Sequence, residues 1–254
     1  MRTIPRANLL SVQVSVLSFS ETINLIADAI AADDRLAISP SPVYTIMQGH
    51  ERLVVRDALN ANLATPDGMP VAWALRLLGH RADRVYGPDL METICKRSAD
   101  EGWRHYFYGG EPGVPEALAS ALRSRYSGLR VAGFESPPFR SLTTEEDVAM
   151  VKRLNDSGAQ IVWIGLGSPK QDLWMAHHRA ALTAPVLIAV GAAFDFLSGR
   201  MKQAPRWMQR SGLEWLFRLL TEPKRLWRRY LEYNPKFVLA VVMQCLGLRR
   251  YDDG

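Results

Sequence analysis

The sequence predicts an α/β fold with a largely parallel sheet, and three features of its pattern carry that expectation. Short apolar runs alternate with amphipathic stretches through the middle of the chain, as they do when parallel strands are buried and helices cover them. Three of these runs end in glycine, which closes tight strand-to-helix turns. The size agrees: 254 residues, 48% hydrophobic and 22% charged, suit one α/β core with an appendage and disfavour disorder or a polytopic membrane protein.

In chain order, the first thirty residues are broken by polar side chains and fit neither a signal peptide nor a membrane span. Leu53 to Ala61 reads as a helix, and Pro66 and Pro70 fix the backbone around Asp67 and Gly68 before a second helix from Val71 to Leu78. His105 to Tyr108 is a strand running into Gly109 and Gly110, followed by a helix from Glu111 to Tyr126 with Pro112 and Pro115 in or near its first turn. The Ser- and Pro-rich stretch Phe134 to Thr144 reads as a loop. Ile161 to Ile164 is a strand entering Gly165-Leu-Gly167-Ser-Pro-Lys170, with a helix from about Pro169 to Ala181. Val186 to Val190 then leads to Gly191, Phe194 and Asp195.

Glycine at strand C-termini lets backbone N–H groups and helix N-termini approach a phosphate, so these turns suggest a nucleotide site; tight turns alone are the competing reading. No GxGxxG or GxxxxGK[ST] is complete, which weakens dinucleotide and P-loop readings. Cys95 and Cys245 lack metal-ligand spacing and are expected to be reduced intracellular thiols.

Asp67, between prolines after an apolar run, is a candidate general base, against the plainer reading of an Asp-Gly turn or helix N-cap. Lys170 and Gln171 put a cation and an amide at a helix start, suited to phosphate or sugar hydroxyls, and Asp195 follows a buried strand where it can bond a ligand or cap a helix. His177 and His178 have no carboxylate or cysteine at ligand spacing, so no metal site is expected, and no Asp-x-Asp pair holds a divalent cation.

Charge is uneven. Residues 200–254 hold twelve Lys or Arg against five Asp or Glu, leaving nineteen against twenty-one in residues 1–199. The expected division is therefore a core over 1–199 and a basic, aromatic appendage over 200–254. Arg206, Trp207, Arg225, Trp227, Arg228 and Arg229 suit an anionic membrane interface, while Phe237 to Leu248 is too short to span a bilayer. A solvated basic helix packed on the core is the alternative, and a nucleic-acid surface is disfavoured because the basic residues are confined to one segment.

Several motifs recur in a definite order: Pro66-Asp67-Gly68, Arg84-Val-Tyr-Gly87-Pro-Asp89-Leu90, Phe107-Tyr-Gly109-Gly110-Glu-Pro-Gly113 and Ile164-Gly-Leu-Gly167-Ser-Pro-Lys-Gln171. They continue with Val190-Gly191-Ala-Ala-Phe-Asp195, Gly199, Ala204-Pro205-Arg206-Trp207, Gly212-Leu-Glu214-Trp215-Leu-Phe-Arg218-Leu and Glu222-Pro223. In that order, over roughly residues 36–230, the chain resembles the WecG/TagA/CpsF glycosyltransferases, glycosyltransferase family 26.

The resemblance implies an inverting, metal-independent transfer by a Rossmann-like α/β core with a helical, membrane-docking C-terminal appendage, and no cofactor. It makes Asp67 the base that takes the acceptor hydroxyl's proton, Arg84 a substrate contact, and Arg218 the cation that stabilises the departing diphosphate. Gln171 and Asp195 would line the sugar or nucleotide pocket, and Gly109, Gly110, Gly165 and Gly167 would admit the nucleotide. Ser39 and Ser41 stand where relatives usually show a Thr-x-Asn pair, Asp172 where a Glu usually follows the Gln, and Gln203 where Arg often precedes Ala-Pro.

The resulting expectation is a hexosyltransferase that moves a sugar from a UDP-sugar to an undecaprenyl-diphosphate-linked glycan in envelope or exopolysaccharide synthesis. It would be cytoplasmic and peripheral on the inner face of the plasma membrane, with no nucleic-acid partner and self-association left open. A non-catalytic peripheral membrane or anion-binding α/β protein is the alternative, and a nicotinamide-dependent oxidoreductase is weakened by the missing fingerprint. The sugar's identity depends on pocket shape and a few hydrogen bonds that sequence does not give.

Overall fold

The computed structural model describes residues 4–252. In chain order the first elements are β1 (Arg6–Leu9), β2 (Val12–Ser15), α1 (Phe19–Ala32), β3 (Leu36–Ser41), α2 (Val43–Glu51), α3 (Leu53–Ala61), β4 (Leu63–Pro66) and α4 (Met69–Leu77). There follow α5 (Gly87–Glu101), β5 (Arg104–Gly109), α6 (Val114–Arg125), β6 (Arg130–Glu135), α7 (Thr144–Asp156), β7 (Ile161–Gly165), α8 (Lys170–His178), β8 (Val186–Ala189) and α9 (Ala193–Leu197). The last are α10 (Arg206–Arg210), α11 (Glu214–Thr221) and α12 (Pro223–Cys245).

Six strands form one parallel sheet in the order β4-β3-β8-β7-β5-β6, flanked by helices, as the sequence pattern predicts. The described chain divides into two compact units, one made of residues 4–22, 40–86 and 203–252 and the other of residues 23–39 and 87–202. Strand β3 runs through the change from one to the other. The expected 199/200 boundary is a division by charge rather than by compactness. The outer ends of the chain, residues 1–3 and 253–254, lie outside the described residues.

In the unit of residues 23–39 and 87–202, side chains along β5 alternate between two apolar layers, as strand geometry requires. Tyr106 and Tyr108 join Val162, Ile164, Leu187 and Ala189 against Met150 and Leu154 of α7 and Met175 of α8. His105 and Phe107 take the opposite side, where Phe107 meets Phe194 of α9 edge-on with centroids 6.0 Å apart. Trp163 is fully buried, and its Nε1–H donates to His105 Nδ1 (2.9 Å). Burial pushes the His105 pKa down to about 3, so the ring is neutral in the core.

The expected strands are present as β5, β7 and β8, and the helix over Leu53–Ala61 has the expected bounds. Helix α6 starts later than expected because Gly113 takes a left-handed conformation at its N-cap (φ 84°), with Pro115 in the first turn. The expected loop at 134–144 is shorter: Phe134 and Glu135 pair with Phe107 and Tyr108 and so extend β6. At its far end Thr143 begins α7 with a capping box, its hydroxyl accepting from Glu146 N–H while the Glu146 carboxylate accepts from Thr143 N–H.

In the other unit, β1 and β2 form an antiparallel hairpin that turns at Leu10 and Ser11, both with positive φ. Asn8 Oδ1 accepts from Ser11 N–H (2.8 Å) and stabilises this turn. Helix α12 runs 23 residues through Pro235 and is tied to the hairpin by Gln244, whose Oε1 accepts from Leu10 N–H and whose Nε2 donates to Asn8 O. Phe237 and Val241 are buried, whereas Leu231, Val238, Leu239, Val242 and Leu246 are exposed. Among the described residues no helix is long and apolar enough to cross a membrane.

Gly109 shows the strictest steric demand. Its φ is +126°, and a Cβ there would stand 2.6 Å from the Gly165 carbonyl carbon in the paired strand. Gly109→Ala is therefore expected to lower stability by about 1–3 kcal/mol or more, read from the midpoint of denaturant unfolding.

Candidate active site

The site begins at the C-terminal end of β4. Asp67 N–H donates to Ser41 O (3.3 Å), and Val85 N–H donates to Pro66 O (2.8 Å), so the backbone sets Arg84 beside Asp67. Gly68 carries the turn into α4 with φ +87°. Ser41, like Ser39, is buried in β3.

Arg84 is held on several sides. One Nη2 hydrogen bond reaches Glu214 Oε2, Nη1 donates to Gln209 O (3.2 Å), and the guanidinium lies 3.9 Å above the Tyr86 ring. Tyr86 Oη in turn donates to Glu214 Oε1 (2.8 Å). What remains toward Asp67 is Nε, which is buried, makes no hydrogen bond and stands 4.0 Å from Asp67 Oδ1.

The Asp67 side chain keeps 20% of its surface exposed, a carboxylate packed among protein atoms but still reachable by a solute. Burial raises its pKa from 3.8 to about 7; Arg84, Arg218 and Arg229 oppose the rise and Glu214 adds to it. A carboxylate tuned to neutrality can accept a proton from a hydroxyl, which an ordinary aspartate does poorly. Burial and Glu214 push the Tyr86 hydroxyl up, so it stays protonated as a hydrogen-bond donor.

The C-terminal helices supply further charge in the same unit. Arg218 of α11 pairs with Glu222 (3.5 Å), which also binds Arg225. Burial works against the Arg218 charge, but Tyr230, Glu222 and Glu214 outweigh it and its pKa lies above the ordinary value. Arg229 turns inward over the Tyr44 ring (4.1 Å), and burial lowers its pKa. Trp207, Trp227 and Arg228 are exposed, Arg228 lying over the Trp227 ring (5.2 Å), while Arg206 donates to Gln209 Oε1 (3.2 Å).

The expected nucleotide turns lie in the unit of residues 23–39 and 87–202. Gly110 N–H donates to Gly165 O (3.0 Å), and a Cβ on Gly165 would meet the Phe194 ring at 2.8 Å, so these backbones are drawn together. Gln171 is buried, and its Oε1 accepts from Gly167 N–H (3.0 Å), fixing the turn. Asp195 is half-buried in α9, and an ion pair of Arg200 with Glu111 joins two neighbouring loops. Lys170, exposed at the start of α8, lines a cavity of about 440 Å³ together with Tyr108, Leu142, Asp147, Trp174 and His177.

Several participants have no assigned role in the sequence reading. Glu214 stands in one of the quoted motifs, but its partners Tyr86 and Arg84 lie 128 and 130 residues away. His177 and His178 have no carboxylate at ligand spacing in their own helix, and α7 supplies one: Asp147, His177 and His178 offer ligand atoms within 4.8 Å of one another. His178 Nε2 lies 3.0 Å from Asp147 Oδ1, and its Nδ1 lies 2.8 Å from Trp174 O.

The parallel sheet carries glycine turns at the ends of β5 and β7, and a recessed carboxylate lies among arginines at the end of β4. The model of the Glycosyl transferase WecG/TagA/CpsF family matches residues 7–251, and the chain belongs to that family. Membership implies glycosyltransferase activity, with a sugar donor and an acceptor.

The Asp67 titration has a consequence for stability. Because the folded pKa is raised, its stabilising contribution is full below about 3.8 and is lost as pH rises through about 7. Asn at this position does not titrate. The stability of Asp67→Asn relative to wild type should rise between these pH values and level off above them, by a few kcal/mol at most, with a matching rise in relative melting temperature; calorimetry across pH measures it.

Proposed function

We propose that the chain is an inverting, metal-independent hexosyltransferase that moves a sugar from a UDP-sugar to a polyprenyl-diphosphate-linked acceptor. The observation that carries this reading is the state of Asp67: a recessed carboxylate whose pKa lies near 7, beside a buried Arg84 Nε with no hydrogen bond. In the proposed reaction Asp67 takes the proton from the acceptor hydroxyl as that oxygen attacks the anomeric carbon and the nucleotide diphosphate departs. Arg84 contacts a substrate phosphate, and Arg218 offsets negative charge on the leaving diphosphate.

The glycine turns after β5 and β7 are the proposed nucleotide contacts, with Gln171 and Asp195 lining the pocket. The nearby cavity of about 440 Å³, lined by Tyr108 and Trp174 together with polar groups that include Arg140, Asp147 and Lys170, has a size suited to part of a nucleoside. Support for metal-independence comes from the cations near Asp67, which can do electrostatically what a divalent ion does elsewhere.

A transfer assay with a lipid-linked acceptor tests the chemistry. The expected kcat/KM rises about tenfold per pH unit below pH 7 and flattens above it, because the base acts unprotonated. Asp67→Asn should fold and lose transfer by at least about a hundredfold. Wild-type transfer should persist with a chelator present. Undiminished transfer by Asp67→Asn would remove Asp67 from the mechanism.

The proposed location is the cytoplasmic face of the plasma membrane, through the basic and aromatic residues of the C-terminal helices. Exposed Leu239 and Val242 on α12, together with Trp227 and Arg228, provide apolar and cationic groups suited to an anionic interface. Leu239→Glu with Val242→Glu is expected to weaken co-sedimentation with phosphatidylglycerol vesicles while leaving the thermal melt unchanged. Equal binding by this variant would rule out that face.

A further inference from the structure

We propose that Glu214 is a positioning residue for the transfer reaction: it holds the Arg84 guanidinium beside Asp67 while preventing the two from closing into a hydrogen-bonded pair. The inference rests on Asp67 being the base, and deepens that reading by assigning the group that keeps the base usable.

The geometry is specific. Both Glu214 oxygens are engaged, Oε2 by Arg84 Nη2 and Oε1 by the Tyr86 hydroxyl, so the carboxylate has a fixed orientation at the start of α11. Arg84 is further restrained by Gln209 O and by the Tyr86 ring. Its closest approach to Asp67 is then Nε at 4.0 Å, beyond hydrogen-bond reach. Without Glu214, Asp67 is the nearby carboxylate to which this guanidinium can turn.

Such a turn would harm the base. A close Arg–Asp pair stabilises the carboxylate and makes it a weak proton acceptor. The groups acting on Asp67 are Arg84 and Tyr86 from the segment before α5, Glu214 and Arg218 from α11, and Arg229 from α12. Among them Glu214 is the carboxylate, and it opposes the three arginines. Its charge therefore acts in the same direction as its restraint on Arg84.

The test is a carbon-13 carboxyl titration of the full chain, with the Asp67 signal assigned by its loss in Asp67→Asn. In Glu214→Gln the Asp67 midpoint should fall by roughly one to three pH units. The acid limb of kcat/KM should move with it, and the plateau rate should fall. In an Arg84→Gln background the same Glu214 change should move the midpoint much less, because the guanidinium that carries the effect is gone. Glu214→Asp keeps the charge but withdraws it by one methylene, so an intermediate shift is expected; it replaces Glu214→Gln if that variant does not fold.

An Asp67 midpoint unchanged in the folded variant overturns the proposal, as does an equal shift without Arg84. A merely structural Glu214 would lower the rate without moving the midpoint. Failure of the base assignment is distinguishable: Asp67→Asn would retain transfer, while the carboxyl titration would still report whether Glu214 governs Asp67.

Discussion

The guanidinium of Arg84 is the joint on which the arrangement around Asp67 depends. It is planar and permanently charged, and it divides its contacts among the Glu214 carboxylate, the Gln209 carbonyl and the face of Tyr86. The edge left over faces Asp67 across 4.0 Å. That spacing keeps a cation near the carboxylate while leaving burial to dominate its proton affinity. Gln209 and Glu214 come from α10 and α11, so the C-terminal segment takes part in setting the state of an aspartate well over a hundred residues earlier.

The unit of residues 23–39 and 87–202 depends on a steric constraint instead. Gly109 and Gly165 pair across β5 and β7 with no room for a side chain between them, and Phe194 closes against Gly165. Gln171 then spans the following turn with its side-chain amide and holds Gly167 in place. Backbone N–H groups in such turns approach a phosphate only because side chains are missing there. On the proposed reading, a nucleotide is held by absence of bulk, whereas the base is controlled by placement of charge.

Much of this was legible because it is local. The apolar runs at Ile161 and Val186 become strands, and the proline-bracketed Asp67 occupies the turn expected of it. What escaped depends on partners distant in sequence. Glu214 is one member of a quoted motif until Arg84 and Tyr86 are beside it, and His178 has no carboxylate at ligand spacing until α7 brings Asp147 to 3.0 Å. Helix α12 continues through Pro235, a residue type that ordinarily interrupts a helix interior. Periodicity reports which face is apolar but not which distant carboxylate covers a cation.

The C-terminal basic residues show how a charge count conceals two populations. Arg228 and Arg229 are adjacent, but a helix turns about 100° between them. One lies over the exposed Trp227, and the other turns inward over Tyr44, where its charge acts on Asp67. Arg218 belongs with the inward group, balanced by Glu222, while Arg225 reaches the same Glu222 from the exposed side. The same division runs along α12, where Phe237 and Val241 are buried and Leu239 and Val242 are not. On the proposed reading, diphosphate stabilisation and membrane attachment thus fall to different faces of the same helices. The two roles are then separable by substitution, and a basic residue can be assigned to one or the other only from the direction in which its helix turns it.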